Sequence, residues 1–302
     1  MFYGIDAIQF NRQFKTNEDC LNYLSNHKWS HGFTCSRCGC PKDVKGRTSH
    51  HRRCQKCHYD ESVIANTLFH GMKMPILKAF HIVFRLTAKK KGMSTVELGA
   101  EVSVQQKTAW LFKRKIQIAM KQDHHYKLQG QVDVDETLMG FHTTRTNGGR
   151  SLTNRMALII AAEILPNEKV GNIRIREIEN FKSVTLKYSI KEMINPAAQI
   201  RTDNYCSYRT LKNEGMNIKI QPSENGKNFK PLHRQIMLFK NWVVGIHHRW
   251  SKNHLYAYTD EYVYRFNHRN ERRCLFNFLI VDMMHQVPHP FPTIKTLCAC
   301  ST

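Results

Sequence analysis

The sequence predicts an α/β protein in several parts, ending in a mixed-sheet core. Three observations lead there: two C-x₂-C cysteine pairs near the N-terminus, closely spaced helical segments after them, and, from Gly130 onward, short apolar runs divided by turn residues. At 302 residues and 41% hydrophobic content the chain is long enough for two or three folded parts with real cores. Lys and Arg outnumber Asp and Glu by 46 to 24, a formal charge of +22 that points to a polyanionic partner, nucleic acid first of all. No run approaches the ~18 apolar residues of a membrane span, and Met1 to Asp6 lacks the regions of a signal peptide. The expectation is an intracellular protein with no membrane partner. Its ten cysteines then read as metal ligands and core thiols rather than as a disulfide framework.

The first element is a short packing helix, because Thr16 stands as an N-cap with Asp19 three residues on, followed by Cys20, Leu21, Tyr23 and Leu24 at helical spacing. Cys20 reads as a core thiol. Cys35 and Cys38 then form one C-x₂-C pair and Cys54 and Cys57 a second, fifteen residues apart, the spacing of a structural zinc ribbon. Four thiolates close a tetrahedron and leave no open position for catalysis, so this zinc holds shape. Cys40, His50, His51 and His58 are spare ligand candidates, and Arg47, His50, His51, Arg52, Arg53 and Lys56 surround the second pair with positive charge. Four unrelated thiols or a redox pair are the plainer alternatives.

Pro75 to Lys91 reads as a buried helix with a basic end. Two helices closely follow, from Ser94 and from Ser103, in the form of a helix-turn-helix. In that motif the second helix enters the major groove by its N-terminal residues, so Gln105, Gln106, Lys107 and Thr108 would read bases, and Lys113, Arg114 and Lys115 would meet phosphates. An ordinary helical hairpin is the alternative.

From Gly130 the runs around Val132 and Val134, from Met156 to Ile164 and from Asn172 to Ile178 read as three strands, with turns at Asn147-Gly148-Gly149 and Pro166-Asn167. Ser183 to Ile194 reads as a helix, Ala198 to Thr202 and Asn217 to Gln221 as strands, and Leu232 to Val244 as a helix. That is the order of an RNase H-like mixed sheet. Asp135 closes the alternating run Gln131-Val132-Asp133-Val134-Asp135, and Asp203 follows a strand, so each carboxylate lies near a strand end, where open α/β sheets place their chemistry. Two such carboxylates suit magnesium or manganese, hard ions that prefer oxygen and can activate an attacking oxygen on a phosphodiester. His233 and Lys240, seven residues apart, share one helix face. Asp133 would face the same side as Asp135 and defaults to a strand-edge charge; Glu136 would face away. Glu261 competes with His233 as the third ligand, although its four-residue step to Arg265 suits an ion pair. A histidine beside apolar residues is more often a packing residue, and magnesium has little appetite for nitrogen. His247 and His248 are further candidates, for structural or phosphate-contacting roles.

With Trp29-x-x-Gly32-Phe33-x-Cys35-x-x-Cys38, Val134-Asp135-Glu136-Thr137, Thr202-Asp203-x-Tyr205, Gly245-Ile246-His247-His248 and His254-Leu255-x-x-Tyr258-x-x-Glu261-Tyr262-x-x-Arg265-Phe266-Asn267-x-Arg269, the chain resembles zinc-ribbon insertion-sequence transposases with an ISXO-type catalytic core. The resemblance runs in collinear order from about Phe10 to Leu279. It implies a DNA transposase using two aspartates, a variable third residue and a following lysine, here matching Asp135, Asp203, His233 and Lys240. It further implies two divalent ions, double-stranded DNA as element ends and target, a homodimer or higher oligomer, and a place in the cytoplasm of a bacterium. The expected divisions are 1–70 for the N-terminal helix and zinc ribbon, 71–125 for the helix-turn-helix-like segment, 126–285 for the catalytic domain and 286–302 for a poorly structured tail. A DNA-binding relic without activity and a nuclease that cuts without joining are the rival functions.

Overall fold

The computed structural model describes residues 1–121, 126–140, 152, 155–224, 226–247 and 250–294. The turn expected at Asn147-Gly148-Gly149, the candidate His248 and the last residues of the tail lie outside the described residues. The chain divides into two compact units, Met1–Met120 together with the segment from Asn270 onward, and Lys121–Arg269.

In the first unit, helix α1 (Ala7–Gln13) starts on the Asp6 side chain, and α2 (Asn17–Lys28) on a complete capping box. There the Asp19 N–H donates to Thr16 Oγ1 at 3.2 Å and the Thr16 N–H to Asp19 Oδ2 at 2.8 Å, satisfying two of the amide groups that a helix start leaves open. Cys20 is fully buried, as expected. Three short strands, β1 (Asp43–Lys45), β2 (His51–Cys54) and β3 (Asp60–Ser62), form an antiparallel sheet around the cysteines. Helix α3 (Ile76–Ala88) buries Ala79, Phe80, Ile82, Val83, Phe84 and Leu86. Helices α4 (Thr95–Glu101) and α5 (Gln106–Met120) follow. The tight turn between them depends on Gly99, where a Cβ would lie 2.9 Å from the Val104 carbonyl oxygen.

Beyond the second unit, helix α10 (Leu275–His285) packs against α2, α3 and α5. The sequence reading put this stretch with the catalytic part; its apolar side chains explain the difference. Phe276 sits among the rings of Phe2, Phe10, Phe14 and Phe80, with centroids 5.4 to 5.7 Å away, and burying a side chain of this size stabilises by about 1.5–3 kcal/mol. The tail expectation also changes, since residues 291–294 form a helical turn and Ile294 is buried.

The second unit is a five-stranded sheet in the order β6-β5-β4-β7-β8, built from β4 (Gln131–Gly140), β5 (Arg155–Ile164), β6 (Val170–Ile178), β7 (Gln199–Thr202) and β8 (Ile218–Ile220). β4, β5 and β6 are antiparallel neighbours, whereas β7 and β8 add parallel to the other side of β4. This is the RNase H-like mixed sheet that the element order predicts. Helices α6 (Ser183–Met193) and α7 (Cys206–Asn213) supply the core on one face with Val132, Val134, Ile159 and Ala161. On the other, α8 (Lys230–Ile246) and α9 (Leu255–Asn267) pack Leu232, Phe239 and Tyr262 against Leu158, Ile160 and Ala162. The alternation of β5 between the two clusters follows from the two-residue period of a strand. α7 escapes the sequence reading because it has only eight residues, of which Ser207, Tyr208 and Leu211 are buried.

Candidate active site

β4 carries the first acidic groups, and its period sends Asp133 and Asp135 to the α8 face and Glu136 to the α6/α7 face. Asp135 is not at the end of β4, as the alternating run suggests, because pairing with β5 continues to Gly140. It lies instead just past the end of the ladder with β7, whose last pair is Asp133 with Arg201. Asp203 follows β7 directly, so both carboxylates lie just beyond the last pair of the parallel ladder.

His233, in the first turn of α8, brings Nε2 to 3.0 Å from Asp135 Oδ2. This hydrogen bond raises the histidine pKa above its ordinary value, against the opposing effect of burial, and the charges of Asp135 and Asp203 act in the same direction. Two neighbours crowd the ring. Phe229 stacks on it at 6.5 Å, and Gly226 approaches so closely that a Cβ there would lie 2.4 Å from His233 Nδ1. Gly226 also has φ of 85°, a conformation that favours glycine. Lys240 lies two turns along on the same helix, half-buried; burial lowers its pKa while Asp135 acts to raise it. Asp203 accepts the Tyr205 N–H at 3.1 Å through Oδ1.

Asp133 differs from the expected strand-edge charge. It is 0% exposed and accepts from Arg201 Nε at 2.7 Å and Nη2 at 2.8 Å, a bidentate pair across the parallel ladder. Burial raises its pKa and Arg201 lowers it. Glu136 faces away, as expected, and accepts from the Tyr208 hydroxyl. Glu261 is fully buried on α9 and accepts from Arg265 Nε at 3.1 Å, the ion pair its spacing suggests. His247 stacks on Tyr258 at 4.0 Å, a packing role.

The four predicted cysteines converge. Their sulfurs lie within 4.8 Å of one another, the one group of three or more His, Cys, Asp or Glu ligand atoms that does so among the described residues. Each pair sits on the same local turn. The Gly39 N–H donates to the Cys35 carbonyl and the Cys35 N–H to that of Cys40, while His58 and Tyr59 repeat the pattern on Cys54. Gly39 and His58 both take positive φ, 70° and 56°. Backbone N–H groups of Cys57 and Lys56 lower the Cys54 thiol pKa, favouring the thiolate that zinc binds, while, against the backbone N–H of Cys40, burial and the hydrogen bonds with Cys54, Cys57 and Cys35 raise that of Cys38. Of the spare candidates, His51 pairs with Thr48 Oγ1 at 2.6 Å, His50 lies 3.9 Å from Glu18, and Cys40 Sγ lies 3.9 Å from the Lys42 carbonyl oxygen.

The structure divides the residues expected to face DNA into two groups. Gln105, Gln106, Lys107 and Thr108 are exposed at the start of α5. Lys113, Arg114 and Lys115 are instead buried, which removes them from phosphate contact. Lys113 Nζ donates to the Met93 carbonyl at 2.8 Å, Lys115 Nζ to that of Leu68 at 3.2 Å, and Arg114 Nη1 to Gln117 Oε1 at 2.8 Å. Their long stems pack as apolar groups while the charged heads find oxygens.

The sequence reading missed Arg201, Tyr208, Gly226 and Phe229. Arg201 had a signal, standing two residues before Asp203 as Asp133 stands two before Asp135; the other three acquire meaning only from the tertiary contact.

Residues 127–267 match the ISXO2-like transposase domain, and residues 15–60 match the transposase zinc-ribbon domain. No curated protein matches the chain. Among solved structures, it is similar to the crystal structure of a pre-cleavage Mos1 transpososome, at 11% identity and a TM-score of 0.21 over 68% of this chain and 78% of that one. The Mos1 strand transfer complex gives 12% identity and a TM-score of 0.22 over the same shares.

Proposed function

We propose that this chain, which matches the ISXO2-like transposase domain over 127–267 and the transposase zinc-ribbon domain over 15–60, carries out metal-dependent DNA strand cleavage and strand transfer at Asp135, Asp203 and His233. The observation that carries this reading is the contact of His233 Nε2 with Asp135 Oδ2 at 3.0 Å, at the end where β4 and β7 part and Asp203 emerges.

The donor set suits a hard divalent ion. Asp135 and Asp203 would hold magnesium or manganese through carboxylate oxygens, with His233 Nε2 completing the set. Bound there, such ions supply Lewis-acid stabilisation of the phosphate and a more acidic attacking hydroxyl. Phe229 and Gly226 fix the imidazole so that Nε2, not Nδ1, faces the carboxylate. Lys240, on the same helix face, would contact a phosphate oxygen and offset charge that builds up during displacement.

Two in-line displacements follow. Water attacks phosphorus at the element end and the 3′-oxygen leaves; that 3′-hydroxyl then attacks a target phosphorus and expels the target's 3′-oxygen. No covalent protein–DNA intermediate is required. The exposed face of Gln105, Gln106, Lys107 and Thr108 and the net charge of +22 support double-stranded DNA as the partner. Two ends joined in one event require at least a dimer, an expectation that rests on analogy with the reaction class.

The test is cleavage and joining of labelled DNA bearing the element's own ends, with magnesium or manganese. Wild type joins ends to target while Asp203→Asn and His233→Ala bind DNA but leave it uncut. Wild-type binding without cutting would favour the DNA-binding relic. Cutting without joining would favour a nuclease, and an active His233→Ala would overturn the histidine's role.

A further inference from the structure

We propose that Glu136 and Tyr208 form a positioning pair that sets the separation of Asp135 and Asp203 from the opposite face of the sheet. The inference rests on the reading of those two aspartates as the ion-holding groups.

The parallel ladder between β4 and β7 consists of Gln131 with Gln199, Val132 with Ile200 and Asp133 with Arg201. Both aspartates lie beyond its last pair, so this ladder does not fix the distance between their carboxylates. A connection on the α6/α7 side spans the gap. The Tyr205 N–H donates to Asp203 Oδ1 at 3.1 Å, which ties that carboxylate to the start of α7. One turn further, the Tyr208 N–H donates to the Tyr205 carbonyl, and the Tyr208 hydroxyl donates to Glu136 Oε1. Glu136 in turn donates its own N–H to Asp135 Oδ1 at 2.8 Å. The path from Asp203 through Tyr205, Tyr208 and Glu136 to Asp135 closes a bridge across the point where the strands part.

Tyr208 is 0% exposed, in a cluster otherwise made of Val132, Val134, Leu211, Ile200 and similar apolar side chains. A phenol in such a place is costly unless its hydroxyl is bonded, and a phenylalanine would fill the same space. Burial and the charges of Glu136, Asp135 and Asp203 all hold the phenol protonated, so it acts as a donor to the carboxylate. Glu136 faces away from the α8 side, so neither member of the pair reaches the ion site itself. They act through the two aspartates, as groups outside the ligand set orient metal ligands elsewhere.

The experiment is Mn²⁺ binding to the zinc-loaded full chain, followed by electron paramagnetic resonance of free Mn²⁺, with thermal unfolding of every variant alongside. Asp135→Asn abolishes specific binding. Tyr208→Phe and Glu136→Ala each weaken it by about 10- to 100-fold. Glu136→Gln, whose amide oxygen still accepts from the phenol, remains near wild type. Should Tyr208→Phe and Glu136→Ala lower the unfolding temperature yet bind Mn²⁺ like wild type, the pair is structural only and the proposal fails. Equal losses for Glu136→Gln and Glu136→Ala would make Glu136 a charge rather than an acceptor, which also overturns it. If Asp135→Asn binds as wild type does, the ion-site reading falls first and the pair falls with it.

Discussion

The cysteine tetrad and the carboxylate site are assembled over very different lengths of chain. Cys35 to Cys57 span a few tens of residues, and each half is a self-contained turn with its own backbone hydrogen bonds. Asp135 and Asp203 are 68 residues apart and His233 is 98 from Asp135, so their meeting depends on the whole sheet and on α8. The sulfurs lie within 4.8 Å of one another, whereas no group of three that includes these aspartates is drawn as close among the described residues. A short local motif can present ligands ready-made; a site built from distant strands needs second-rank contacts to hold its spacing.

The largest effect on this contrast is expected at the tetrad. Cys54→Ser removes a ligand whose metal contributes about 10–16 kcal/mol of folding free energy in comparable small sites, so zinc content and the fold of the N-terminal module are lost together. Metal analysis with circular dichroism checks this; retained zinc and fold would count against it. At the carboxylate site, Asp135→Asn leaves the fold intact and lowers strand cleavage by about 10²- to 10³-fold, the scale at which a transition-state charge partner is removed. Gel-shift affinity for the element ends should stay unchanged.

Next comes the buried pair beside the site. Asp133→Asn leaves Arg201 without its counter-charge and destabilises by about 3–5 kcal/mol, read from urea unfolding midpoints. Gly226→Ala strains a backbone at φ 85° and drives a methyl toward His233 Nδ1, so cleavage falls more than stability does. Equal loss of both would refute the view that Gly226 shapes the imidazole's seat.

The smallest expected effect concerns pH. Burial raises the Glu177 pKa from its ordinary value to about 6. The unfolded chain releases that proton at lower pH than the folded one, so stability falls as pH rises through the window up to about 6 and stays lower above it. Glu177→Gln therefore stabilises at pH 8 but not at pH 4, by about 2 kcal/mol at most, before solvent screening reduces it. Thermal unfolding at both values tests the sign.

Legibility in the sequence follows the same division between local and distant. The cysteine spacing announced its site outright, and the seven-residue step from His233 to Lys240 reported a shared helix face. The pairing of Asp133 with Arg201 was hidden because register between parallel strands is not written in either strand alone. Charge misled at Lys113, Arg114 and Lys115. Successive residues turn by about 100° around a helix, so three in a row cannot all face one groove. At least one has to point away from it, and here all three are buried, with oxygens within reach of their polar heads. The allocation of α10 was equally hidden, since an apolar helix does not name the core it joins.

That allocation bears on how the protein is made. Phe276 and its neighbours follow the sheet unit in the chain, yet they belong with Phe2, Phe10 and Phe80, which precede it. The contiguous stretch from Lys121 to Arg269 can fold as soon as it emerges, while the unit that flanks it in sequence waits for α10. A nascent chain halted after Arg269 would carry a finished sheet and an aromatic core still missing one of its rings.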